Sequence, residues 1–268
     1  MSSNPLTCSA NAPAERLPRA AISACGRVLI ALLLFLSFGF GAQAQGDDAD
    51  KQLAMRLSQI LQAARSVISN HQELINDISK GDKGLTAAVV LKEALAIYRQ
   101  NQPDPMAEPA DSRAGRLLRA ELDAIAEVMD QHQTTINAKG TGFKGFIPAV
   151  FGRLVSEAFT RRAAGEASMK VTAPPELVRN RRSRPDAWEE AVIRDEFRST
   201  SWPRGTPYST TLWVGPNPEF RILWPEYYAA SCLSCHGSPK GSVDVTGYPR
   251  EGAKEHDLGG VISIRLKR

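Results

Sequence analysis

The chain has 268 residues, 43% of them apolar, and a formal net charge of +4. This length and composition suffice for one or two hydrophobic cores, and nothing in the weak net charge asks for nucleic acid as a partner. Four cysteines are too few for the multiply cross-linked design of small secreted domains, so stability must come from packing.

Residues 1–44 read as an export signal. Arg16, Arg19 and Arg27 form a basic front, Val28 to Phe40 an apolar core, and Ala42-Gln43-Ala44 a small-residue cleavage site. The apolar core is too short to span a bilayer comfortably, and Cys25 precedes it, which argues against a lipid anchor. On this reading Cys8 and Cys25 are discarded with the signal. The mature protein begins near Gln45, is periplasmic, keeps no permanent membrane segment and carries basic and acidic residues in near balance.

Residues 45–138 read as a helical region. Leu53, Leu57, Ile60, Ala64, Val67, His71, Leu74 and Ile78 recur at three-and-four spacing and predict one helix to a stop at Lys80-Gly81. A second helix is predicted from Gly84 to Arg99 with Ala88, Leu91, Leu95 and Tyr98 on its inner side, and a proline-rich loop ends it. A third spans Arg113 to Gln133, with Leu118, Leu122, Ile125, Val128, Met129 and His132 as its apolar stripe.

Residues 139–268 are mixed. Pro148 opens a helix that buries Phe151, Leu154, Val155, Ala158 and Phe159. Extended pieces follow as SMKVTA, YSTTLWV and FRILW, the last two joined as a hairpin across GPNP. Between the first and second, RPDAWEEAVIRDEF reads as a helix. The chain closes on GGVISIRLKR, where Ile262, Ile264 and Leu266 alternate with Ser263, Arg265 and Lys267 as in a half-buried strand. Helices followed by a small antiparallel sheet make an α+β protein.

The chemistry concentrates in SCLSCHGSPKG, Ser231 to Gly241. Four explanations compete for Cys232, Cys235 and His236. A thiol-exchange disulfide expects a thioredoxin-like setting, which the upstream LWPEYYAAS does not resemble. Structural zinc expects four protein ligands where the cluster offers three. Accident is rare on composition. Covalent haem c accounts for each atom: two thiols three residues apart reach one porphyrin edge, and the following histidine becomes the proximal iron ligand. Haem attachment after export also agrees with the signal.

The pieces FKGFIPAVF, RNRRSRPDAWE, CLSCHG and LGGVISI, in this order, resemble the periplasmic c-type haem domains of PAS-like fold. These occur alone or as sensing halves of membrane histidine kinases, with a cyanobacterial c-type cytochrome as structural representative. The resemblance covers Lys139 to Leu266 and implies a five-stranded antiparallel PAS-like sheet with one haem held against it. It further implies a role in redox or small-ligand sensing. In the representative a cysteine is the sixth iron ligand; here the equivalent position falls near Pro148 to Phe151, where no side chain ligates iron. The sixth position is then open or filled by His71, His132, His256 or one of Met55, Met106, Met129 and Met169.

Arg179, at the head of the basic run RNRRSR, is a candidate partner for haem propionates, although a solvated basic loop is the plain alternative. Trp188, Trp224 and Tyr227 are candidates to wall the porphyrin or simply core. No arrangement for hydrolysis or phosphoryl transfer stands out. The expected function is a haem-based sensor of redox state or a small gas. It would act through a membrane sensor kinase or a redox partner protein, with long helices that suit a homodimer. A periplasmic electron carrier is the alternative reading and a peroxidase-type enzyme the third.

Overall fold

The computed structural model describes the backbone from residue 24 and the side chains from residue 46, so the export signal expected over residues 1–44 lies outside the fully described residues. Among the described residues, no helix is long and apolar enough to cross a membrane. Residues 46–268 pack as one compact unit, in which the helices of the first half and the sheet of the second share a core.

Helix α1 (Ala24–Asn70) buries Leu53, Leu57, Ile60, Ala64 and Val67 as their spacing predicts. The predicted stripe fails beyond Asn70, because the helix breaks at His71 before the short α2 (Gln72–Asn76). A break resets the helical phase, since each residue turns the side chain by about 100°. Ile75 therefore enters the core in place of Leu74, and Ile78 is left 57% exposed.

Helix α3 (Ala87–Tyr98) starts at Thr86, whose hydroxyl accepts from the Val89 N–H. It buries Val90, Ala94 and Tyr98 and leaves Ala88 exposed. Its sequence is apolar nearly all round, so periodicity does not single out the inner face. Ser112 caps α4 (Arg113–Gln131) in the same way, and there Leu118, Leu122, Ile125, Val128 and Met129 are all buried. After α5 (Gln133–Ile136), α6 (Pro148–Arg162) opens on its proline and buries Phe151, Val155, Ala158 and Phe159.

Strands β1 (Ala167–Thr172), β2 (Tyr208–Val214), β3 (Asn217–Tyr227) and β4 (Leu258–Lys267) form one antiparallel sheet in the order β1-β4-β3-β2. The sheet thus has four strands and not the five that the resemblance implied. The segment after β1 holds Pro174, Pro175 and Pro185, each lacking the N–H a ladder needs, and it coils into 3-10 turns at Pro175–Leu177 and Arg181–Ser183. The β2–β3 hairpin turns on Gly215, at φ 68°, and Val214 pairs with Asn217.

One sheet face packs on the helices through Met169, Phe220, Ile222, Ile262, Ile264 and Leu266. The other is covered by α7 (Ala187–Val192) and the wide turn Ile193–Phe197 that continues it, with Val192, Ile193 and Phe197 against Leu223 and Val261. Asp186 and Glu189 close a capping box at the start of α7. Because β4 is central, Ser263 is as buried as its apolar neighbours, and only the stretch from Arg265 keeps the half-exposed pattern read from the sequence.

Glu121 sits in the middle of α4, fully buried, with a partner at neither carboxylate oxygen. Burial alone pushes its carboxyl well above the ordinary carboxylate range. The unfolded chain ionises this group near pH 4.3 while the native state keeps the proton. The native advantage is therefore intact below that pH and shrinks by about 1.4 kcal/mol per unit as pH rises toward the native value. Glu121→Gln is expected to equal the parent in urea unfolding near pH 4 and to become progressively the more stable of the two as pH rises above that; equal pH profiles would contradict this.

Candidate functional site

Strand β3 ends with a register shift between Glu226 and Tyr227, and the cysteine motif hangs directly from that end. A 3-10 turn (Ala230–Cys232) runs into the single turn α8 (Leu233–His236), so Cys232, Cys235 and His236 lie on continuous helical backbone. The two thiols are half-buried and not joined to each other. Gly237 ends the turn, where a Cβ would stand 2.6 Å from the Leu233 carbonyl oxygen.

The chain then folds back over the motif. Ala253 N–H donates to the His236 carbonyl at 2.8 Å, and His256 N–H donates to the Tyr228 carbonyl at 2.8 Å. A narrow hairpin between them is closed by Gly241 to Arg250 and Asp244 to Tyr248, each 2.9 Å. From the other side, α1 reaches the base of the motif: Arg65 pairs with Glu226, and Ser69 lies 3.5 Å from Ser231.

His236 Nδ1 lies 2.8 Å from Glu251 Oε2 and 3.3 Å from the Tyr228 hydroxyl. The imidazole stacks on the Tyr228 ring, with centroids 4.8 Å apart. Tyr228 reaches this place by lying over Gly259 of β4, where a Cβ would come within 2.7 Å of the ring. Glu251 is gripped by the Arg179 fork, Nε to Oε1 at 3.0 Å and Nη2 to Oε2 at 3.1 Å. The same guanidinium donates to Asp244 Oδ2 at 2.6 Å, to Thr246 Oγ1 at 3.2 Å and to the Cys235 carbonyl at 3.0 Å.

The charges settle accordingly. Burial opposes the Glu251 carboxylate, yet the hydrogen bonds from Arg179 and His236 outweigh it and hold the carboxyl below its ordinary range. Asp244, whose side chain is fully buried, pays a desolvation cost that the hydrogen bonds from Thr246 and Arg179 more than offset, so its carboxyl lies far below the usual range. Burial, then the charge of Glu251, pushes the Tyr228 phenol up. All three groups keep fixed protonation states around neutral pH.

This geometry suits covalent haem. A carboxylate at Nδ1 fixes the proton there and leaves the lone pair of His236 on Nε2, the atom a proximal ligand uses. Among the described residues, no group of three or more His, Cys, Asp or Glu side chains is arranged to hold a metal ion. A porphyrin brings four nitrogens of its own and asks the protein for only one or two.

The other candidates fall elsewhere. His71 pairs with Glu93 at 2.9 Å. His132 ends α4, with Nδ1 2.8 Å from the Val128 carbonyl and its ring against Phe146. His256 is exposed, at φ 75°, and tied to Tyr228 only through its backbone. Arg179 separates from its run: it is committed to Glu251, Asp244, Thr246 and Cys235, while Arg181, Arg182 and Arg184 are exposed as a solvated basic loop would be. Trp188 and Trp224 pack against the sheet cores, and Tyr227 carries Arg204 over its ring at 4.1 Å.

Glu251, Asp244 and Tyr228 complete the site and escaped the sequence reading. An acidic residue fifteen positions past a histidine carries no pattern; the Asp-x-Thr turn at Asp244, with Thr246 N–H on Oδ1 at 2.7 Å, is the one local signal that was there to use.

An α+β domain with a Cys-x-x-Cys-His turn and a carboxylate-held histidine is the class these features define. The Tll0287-like family matches residues 43–267, and the chain belongs to that family of c-type haem-related domains. The match takes in the N-terminal helices as well as the sheet. No curated protein and no solved structure matches the chain.

Asp244→Asn leaves Arg179 short of a charged acceptor in a half-buried setting and should cost about 1–3 kcal/mol in urea unfolding at pH 7. A depressed carboxyl contributes above its unfolded pKa and loses that contribution as pH falls through the native value. The deficit is therefore expected to narrow steadily below pH 4; a deficit that stays constant would contradict the role given to this charge.

Proposed function

We propose that this chain is an exported, mono-haem c-type protein of PAS-like fold that senses redox state or a small gaseous ligand for a partner protein. One haem c is held through Cys232 and Cys235, with His236 as proximal ligand. The observation that carries the reading is the commitment of His236 Nδ1 to Glu251 beside two unpaired thiols on the same helical turn. The bound group would supply a redox-active iron.

The chain's own residues do the rest. Glu251 orients the imidazole and keeps its proton on Nδ1, Tyr228 covers one face of the ring, and Arg179 ties the carboxylate to the backbone of Cys235. The output is read by a membrane sensor kinase or a redox partner. Electron transfer is the second reading, favoured by the exposed apolar residues Val243 and Val245 beside the motif, at 70% and 60% exposure.

Protein matured in a host competent for haem c attachment is expected to show a Soret band and the mass of one added haem. Cys232→Ser or Cys235→Ser should lower haem retention on a denaturing gel severalfold, and the double variant should abolish it. Carbon monoxide added to reduced protein should shift the Soret band at once. Protein of bare polypeptide mass would overturn the haem reading, and a spectrum indifferent to carbon monoxide would remove gas sensing in favour of redox sensing or electron transfer.

A further inference from the structure

The arrangement around His236 goes beyond attachment. A proximal histidine needs only some acceptor at Nδ1, and a neutral backbone carbonyl would do. Here the acceptor is a carboxylate 2.8 Å away, with the His236 and Glu251 side chains 26% and 17% exposed, so solvent screening is reduced. Nor is the carboxylate free to swing. Arg179 holds both its oxygens, and Arg179 is itself held by the fully buried Asp244 and by the carbonyl of Cys235. The acceptor is thus clamped to the same turn that carries the thiols.

We infer that Glu251, clamped by Arg179, is a positioning residue that lowers the reduction potential of the site through the His236 Nδ1 hydrogen bond and so favours its oxidised state. This rests on the haem reading above. An imidazole bound to the more positive, oxidised iron is the stronger acid at Nδ1, so a carboxylate there stabilises the oxidised state more than the reduced one. Arg179 opposes full transfer of the proton, because its positive charge stabilises Glu251 as a carboxylate without the added proton. The net result is a graded pull on the ligand, set by geometry.

Two variants separate the bond from the mere presence of a charge. Glu251→Gln keeps the shape and an acceptor but loses the charge; Glu251→Asp keeps the charge but withdraws it by one methylene. Haem content is read by intact mass and midpoint potential by spectroelectrochemical titration of the mature protein. Both variants are expected to keep covalent haem and to titrate at higher potential than the parent. For Glu251→Gln the oxidised-to-reduced ratio at fixed ambient potential should fall about tenfold, a rise of about 59 mV for a one-electron couple, and Glu251→Asp should shift less in the same direction.

An unchanged Glu251→Gln potential overturns the inference. So does a Glu251→Asp potential equal to the parent's, which would reduce Glu251 to a distant charge. Should Glu251→Gln fail to fold or load, Glu251→Asp decides alone. Parent protein without haem defeats the proposed function and this inference with it, and mass distinguishes that outcome from a potential that fails to move.

Discussion

An imidazole has two nitrogens, and in this fold one of His236's is spoken for. The 2.8 Å contact of Nδ1 with Glu251 decides which nitrogen is left to bind and fixes the ring's orientation. Each neighbouring feature serves that contact. The loop after α8 returns to deliver Glu251, the hairpin within it buries Asp244, and Asp244 holds the arginine that grips Glu251. A surface ion pair would be weak and screened; this one is a chain of paired groups in which removing any member leaves another short of its partner.

The family match takes in the N-terminal helices as well as the sheet, and the scaffold ties the two together at the motif. The motif hangs from β3, a central strand packed on both faces. On one face α1 supplies Leu57, Ile60 and Val67 to the shared core and reaches the base of the motif through Arg65 and Ser69. On the other, Arg221 of β3 lies over Trp188 at 4.1 Å and pairs with Asp186 and the buried Glu189, which anchors α7 to the sheet.

Much of the fold was legible in the sequence wherever one face of an element is polar. The stripe of α4, the proline start of α6, the β2–β3 hairpin and the final strand all follow from periodicity and turn chemistry. Legibility failed where that contrast is missing or tertiary contacts decide. The inner face of α3 is hidden in a uniformly apolar run, the break at His71 shifts the register beyond it, and a central β4 buries Ser263 along with its neighbours. At the site, Cys232, Cys235 and His236 are legible because they form one contiguous Cys-x-x-Cys-His motif. Glu251 and Asp244 do not, since a loop brings them back to the motif from a distance that no local pattern encodes.

The central claim concerns one histidine and its two neighbouring thiols, and a crystal structure of the mature protein produced with haem c maturation tests it most directly. Electron density continuous from Cys232 and Cys235 Sγ to one porphyrin, with His236 Nε2 on the iron and Nδ1 still on Glu251, is the expected result. A disulfide between Cys232 and Cys235, or an iron bound with Glu251 turned away from His236, would contradict it.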